Sequence, residues 1–208
     1  MKTSSLTTRR TTAKSTREQA RPRGAARRDA LLEAVLRIVA DVGAEAVTHR
    51  RVAEEAGLPL ASTTYWFESK EQLLTAAIEL AAARDSARLL DYAAACADEG
   101  RDPLDAAIGA LLDAPGEDSR SSLMATYALL LEAARRPALR DVARRWTEAY
   151  LLALGQLLER AGSGQPRQDA ELLLAAADGL LIEQLSTGAT TDLRPRLRRL
   201  AAALVVSA

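Results

Sequence analysis

Three hydroxyl residues followed by three aromatics, Ser62-Thr63-Thr64-Tyr65-Trp66-Phe67, stand in one unbroken run. Small hydroxyl side chains can bond base edges of several kinds, and a threonine methyl can pack on a thymine methyl. A phenol or an indole N–H can bond a phosphate at the groove wall. Consecutive helical residues point in different directions, so Phe67 is the expected core residue and Tyr65 and Trp66 stay near the surface. Arg50 and Arg51, upstream, add two cations that can reach groove or backbone. Lys70, downstream, opens a helix, where its ammonium and the backbone amides both suit a phosphate. This is the chemistry of nucleic-acid recognition.

The rest of the chain offers little for catalysis. One histidine (His49) and one cysteine (Cys96), far apart in sequence, leave no nucleophile–base pair, no zinc cluster and no disulfide framework. No catalytic residue, metal or cofactor is therefore expected, and His49 reads as an ordinary exposed first-turn residue. The uncharged, mainly apolar run from Ala149 to Leu158 is far short of the roughly 20 residues a membrane span needs. A cytoplasmic protein is expected. Lysine plus arginine balance aspartate plus glutamate at 28 each. That neutrality hides an asymmetry, because residues 1–28 hold nine basic side chains against the single Glu18. A basic arm on an acidic body suggests a polyanion met at one end. The arm lacks the apolar segment of a secretory signal. Its removal (residues 1–25) is expected to weaken binding to specific and random DNA alike and to flatten the salt dependence.

The elements that position these groups are helices. Alanine and leucine far outnumber valine and isoleucine, a balance that favours helix over strand. No run of alternating β-branched or aromatic residues competes. A first helix is expected over 27–42, with Leu31, Val35, Ile38, Val39 and Val42 on one stripe and Gly43 as the stop. Thr48 can cap a second, with Val47 and Val52 as a hydrophobic staple, ending at Ala56-Gly57. A short third follows Pro59, over 60–67, and Ser69-Lys70-Glu71-Gln72 is a capping-box pattern opening a long fourth that reaches about Glu99. Breaks near Gly100, Ala114, Pro137, Gly162 and Gly188 bound five more, near 104–113, 120–135, 138–161, 167–187 and 193–206. The expected architecture is all-α, about nine helices, with an N-terminal three-helix helix-turn-helix head and a helical effector and dimerisation body.

Thr48-His49-Arg50-Arg51-Val52-Ala53-Glu54-Glu55-Ala56-Gly57, then Ser62 to Phe67, then Ser69-Lys70-Glu71-Gln72-Leu73-Leu74 closely resemble the tetracycline-repressor (TetR, TetR/AcrR) family of bacterial transcriptional regulators. The match covers about residues 27–75 in order and spacing; beyond residue 80 it extends to helix count and length. The resemblance implies DNA contacts at Thr48, Arg50, Ser62, Thr63, Tyr65, Trp66 and Lys70, to which the residues' own chemistry adds Arg51 and Thr64. With the charge asymmetry, it divides the chain into a basic flexible arm (1–26), a DNA-binding domain (27–75) and a ligand-binding and dimerisation domain (76–208). One departure matters. No charged residue lies between Leu58 and Phe67, so an arginine-to-guanine contact from this helix is excluded and Arg50 is the candidate for one.

So small a head reads few base pairs, and useful specificity requires two of them on a palindromic site. Leu173, Ala176, Leu180, Leu197, Leu200 and Leu204 are the candidate seam of a homodimer. Tyr92, Cys96, Met124, Tyr127, Trp146 and Tyr150 are candidate walls of a pocket for an unidentified small-molecule effector. The expected function is a homodimeric repressor released from a palindromic double-stranded operator by that effector. The alternative is an architectural DNA-binding protein, or an activator, without an effector.

Overall fold

The computed structural model describes residues 9–98, 100–113 and 119–206, with side chains from Gly24 onward except those of residues 96–98. Among these residues the chain forms nine α-helices and no strand. They are α1 (Arg9–Val42), α2 (His49–Glu55), α3 (Leu60–Trp66), α4 (Lys70–Asp98), α5 (Pro103–Leu112), α6 (Ser119–Arg135), α7 (Pro137–Arg160), α8 (Pro166–Thr187) and α9 (Arg194–Val206). A 3-10 turn, Ala44–Ala46, joins α1 to α2.

Local chemistry fixes most of these boundaries. The Thr48 hydroxyl accepts from the Arg51 amide at 3.2 Å and opens α2, with Val47 and Val52 both fully buried as its staple. At the other end, Leu58 N donates to Ala53 O at 2.9 Å and Gly57 N to Glu54 O at 3.1 Å. That bond pair closes the helix around a left-handed residue, and Gly57 supplies it at φ 63°. Ser69 Oγ accepts from Gln72 N at 3.2 Å, as a capping box requires. The reciprocal bond is displaced by one residue: Gln72 Oε1 accepts from Glu68 N at 2.8 Å rather than from Ser69 N.

One boundary differs from the sequence reading. The first helix begins at Arg9, not near residue 27. The intervening Arg, Lys, Gln and Ala residues are good helix formers, a propensity that the charge density and Pro22 hid. Of the stripe expected on this helix, Leu31, Val35, Ile38 and Val39 are buried, while Val42, at its end, is exposed.

Two apolar clusters form the interior. The first joins α1, the staple and Phe67 to Leu73, Leu74, Ala77 and Ile78 of α4. It continues into Leu129 and Ala133 of α6 and Leu139, Val142 and Trp146 of α7. The second joins Leu89 of α4 to α5, the later part of α7, α8 and α9. Helices α4 and α7 thus thread both clusters, and Tyr150 packs against each. At a fully buried leucine such as Leu74 or Leu154, burial contributes roughly 1.5–3 kcal/mol.

Tight packing of α5 on α4 has a testable consequence. A Cβ built on Gly109 would lie 2.7 Å from Cε1 of Tyr92, whose ring is pinned by a hydrogen bond from its hydroxyl to Asp113. Gly109→Val is expected to displace that ring and cost about 1–3 kcal/mol. Thermal unfolding checks it; an unchanged midpoint would show that the ring moves freely.

Candidate nucleic-acid interface and ligand cavity

Helix α3 is held in place from both sides. Thr63 is fully buried and donates its hydroxyl to Leu60 O at 2.8 Å; four residues on, Phe67 is buried with the Arg28 guanidinium 5.8 Å over its ring. His49 Nε2 donates to the Phe67 carbonyl at 2.9 Å, tying the start of α2 to the end of α3. Two expectations are corrected here. Thr63 faces the core and cannot reach a nucleic acid, because the i, i+4 pair with Phe67 sets which side of α3 turns inward. His49 is half-buried and partnered rather than an idle surface residue.

What remains outward is a ridge. Thr64 is exposed, its hydroxyl donating to Ala61 O at 3.3 Å. Tyr65 is 78% exposed, the highest value of any aromatic described. Trp66 is 37% exposed and meets Tyr65 edge-on, with ring centres 5.1 Å apart. Its far edge lies against α1, since a Cβ on Gly24 would sit 3.5 Å from Trp66 Cζ2. Ser62 is half-buried beside them. Thr48, Arg50 and Arg51 are exposed along the start of α2. Arg50 Nε bonds Glu54 Oε1 at 2.8 Å in an open i, i+4 pair, which a phosphate can replace. The structure therefore gathers Thr48, Arg50, Arg51, Ser62, Thr64, Tyr65 and Trp66 on the helix-turn-helix surface.

Lys70 is engaged differently from expectation. Its ammonium donates to Glu45 O at 2.8 Å and to Glu45 Oε2 at 3.1 Å, so two of its three donors are held within the protein. The other oxygen of Glu45 accepts from Arg136 at 3.2 Å, and Arg136 Nε bonds the buried Glu132 at 2.8 Å. Lys70, and after it Arg136, hold the Glu45 carboxyl below the ordinary range. This chain of charges links the first turn of α4 to the corner between α6 and α7.

Between α1 and the later helices lies a cavity of about 740 Å³. Its wall includes Leu36 and Arg37 of α1 as well as residues of α4, α5, α6, α7 and α8. Tyr127, Trp146 and Tyr150 line it as expected. Tyr92 and Met124 do not: Tyr92 packs between α4 and α5, and Met124 faces outward from α6. The side chain of Cys96 lies outside the described residues. Two polar centres went unpredicted. Asp85 Oδ2 accepts from Trp146 Nε1 at 3.1 Å and from the Tyr150 hydroxyl at 2.8 Å, while Arg88 bonds Asp85 Oδ1 at 3.4 Å. Asp178 Oδ1 accepts from the Tyr127 hydroxyl at 3.1 Å. Burial pushes both tyrosine hydroxyls upward in pKa, Asp178 adding to the effect at Tyr127 and Asp85 at Tyr150. A signal for Asp178 existed in the sequence: it is the lone charge in the apolar run from Leu172 to Ile182.

The expected dimer residues divide. Leu173 and Leu197 are fully buried within the protomer and cannot form a surface. Ala176, Leu180, Leu200 and Leu204 are half-buried. Helix α8 instead presents Leu172, Ala175, Gly179 and Ile182 outward with Ala176. Among the described residues, nothing lies within 4 Å of a Cβ built on Gly179.

Comparison with known proteins matches two family models. Residues 31–77 match bacterial regulatory proteins of the tetR family, and residues 99–207 match the tetracyclin repressor-like C-terminal domain. A solved TetR-family structure from Streptomyces coelicolor is 32% identical, covering 86% of this chain and 97% of that one, with a TM-score of 0.70. The multidrug binding protein EbrR in complex with ethidium is 32% identical, covering 86% and 97%, with a TM-score of 0.66. EbrR with malachite green is 33% identical, covering 85% and 96%, with a TM-score of 0.65. Among curated proteins there is no match. No helix among the described residues is long and apolar enough to cross a membrane.

Proposed function

Because the chain belongs to the tetR family of bacterial transcriptional regulators, we propose that it is a homodimeric repressor, acting in the cytoplasm, that leaves a palindromic double-stranded operator when a small molecule fills the cavity. The observation that carries this reading is the composition of the cavity wall. Leu36 and Arg37 belong to α1, which packs with the helix-turn-helix, while Tyr127, Trp146 and Tyr150 belong to the body. Arg37 also bonds Glu55 at the end of α2, Nε to Oε1 at 2.7 Å. An occupant touches both parts at once and so can favour one arrangement of them over another. Ligand then lowers DNA affinity by its differential affinity for the two arrangements, and by no more than that. Similarity to EbrR supports an aromatic molecule as the occupant, and three aromatic side chains in the wall suit one. An architectural protein without an effector would have no use for such a cavity.

Operator contacts are assigned to Thr48, Arg50, Arg51, Ser62, Thr64, Tyr65 and Trp66, with the amides at the start of α4 adding a phosphate site beside Lys70. Dimerisation is assigned to the outward face of α8 with Leu200 and Leu204 of α9. A glycine inside a helix costs about 1 kcal/mol relative to alanine, and among the described residues nothing crowds Gly179. Close approach of a partner helix supplies the reason for it.

The test is operator retention with and without ligand. The chromosomal fragment retained by the protein is selected, and its affinity is measured across a panel of aromatic dyes. Release by a dye that binds the protein is the expected result, and saturation without any change in affinity would overturn the reading. The arm is tested separately by removing residues 1–20, short of the Gly24 on which Trp66 packs. Affinity for specific and random DNA should fall together, and the salt slope should shrink by about 0.9 for each phosphate the arm had neutralised. An unchanged slope would make the arm a passive extension.

A further inference from the structure

The charges around the cavity do not cancel. Its wall carries the guanidinium groups of Arg37, Arg84 and Arg88 and the carboxylates of Glu33, Asp41, Asp85 and Asp178. Every one of the three cations is already paired: Arg84 with Glu33, Arg88 with Asp85, and Arg37 with Glu55. That leaves Asp41 and Asp178. Asp41 is exposed near the end of α1, where water solvates it. Asp178 lies on α8 and is largely covered.

Its treatment contrasts with that of Asp85. Asp85 receives an indole N–H, a phenol and a guanidinium. Asp178 receives one neutral phenol, that of Tyr127, on Oδ1, and no cation among the described residues pairs with it. Burial pushes its carboxyl up in pKa, and the Tyr127 hydrogen bond only partly opposes this. A covered carboxylate without a counter-charge destabilises the empty protein. Around it the wall is apolar and aromatic, with Leu174 and Leu181 on the same helix and Tyr127 and Leu123 on α6.

We propose that Asp178 is the counter-ion for the effector, and that the cavity accordingly takes a lipophilic organic cation whose positive charge sits at the Asp178 carboxylate and whose apolar frame lies against Tyr127 and the leucines. This rests on the reading of the cavity as the effector site and adds the charge of the molecule it selects. A neutral molecule of the same shape would leave the carboxylate covered and unpaired; a cation relieves it.

The probes are 10-methylacridinium, a fixed cation, and acridine, which is neutral at mildly alkaline pH and shares its ring system. Fluorescence titration of the full chain should show the cation bound more tightly by about tenfold or more. Asp178→Asn should abolish that preference by weakening the cation alone, leaving acridine affinity unchanged, whereas Asp178→Glu should restore part of it. A second readout guards against misfolding. Without ligand, Asp178→Asn should melt at or above the wild-type temperature, because it removes an uncompensated charge while keeping the shape. Equal affinity of the wild type for the two dyes, a cation affinity that survives Asp178→Asn, no binding of either dye, or a lowered melting temperature would each overturn the proposal. The effector reading fails by a different result, namely dyes that bind and leave the operator complex intact.

Discussion

Tyr65→Ala is expected to reduce operator affinity by about a hundredfold or more while leaving the fold untouched. The residue is 78% exposed, and its ring meets that of Trp66 edge-on. Removing it therefore opens no cavity, and the melting temperature should stay within a degree or two of the wild type. A hydrogen bond to a charged group contributes about 1.5–3 kcal/mol, and a symmetric dimer makes it twice. If the phenol bonds a phosphate, affinity for operator and for random DNA should fall together. If its hydroxyl reads base edges, Thr64→Val should behave differently, lowering discrimination between operator and mutated sites more than affinity for random sequence. Trp66→Ala is less clean, since it also uncovers Gly24 of α1. Filter-binding or anisotropy titrations at fixed salt, alongside melting curves, measure all of these. Undiminished affinity in Tyr65→Ala would mean that another surface meets DNA.

Gly179→Arg should separate the protomers and, with them, the two half-site contacts. Its Cβ direction is open in the protomer, so the arginine folds outward without internal strain. Ile182→Glu, on the same outward side of α8, provides an independent variant. Light scattering should report the mass of a single chain for both. Joining two weak binding modules raises affinity by about 10²–10⁴ through effective concentration alone; operator affinity should drop by that factor. Affinity of one head for a half-site should not change. A dimer that survives both substitutions would place the seam elsewhere.

How much of this the sequence disclosed depends on the range of the interaction. Thr48, Gly57 and Ser69 were legible because caps and left-handed turns are settled within a few residues of chain. The placement of Thr63 was not. In a helix of seven residues, the periodicity cannot decide which of several consecutive small residues turns inward; contact with α2 and α1 decides it. The same holds for Tyr92 and Tyr127, both aromatics on helical faces, of which the crossing of α4, α5 and α6 sends only the second into the cavity. Leu173 and Leu197 were indistinguishable from interface leucines, because an apolar face reads identically whether its partner is the same chain or another copy. Asp178 had a sequence signal, but its meaning emerged only when every arginine nearby proved to be taken.

Packing continuous from Phe67 through Ile78 to Leu139 and Trp146 has a consequence for anyone who would recombine these regulators. A helix-turn-helix cut at the start of α4 and grafted onto a foreign body would carry a raw hydrophobic edge with nothing complementary to meet it. Transplanting the specificity of this protein therefore calls for moving the α6–α7 corner, with Glu132 and Arg136, together with the head. The natural exchangeable module is discontinuous in the chain, and swaps made at a single junction should yield hybrids that fold poorly or no longer answer to ligand.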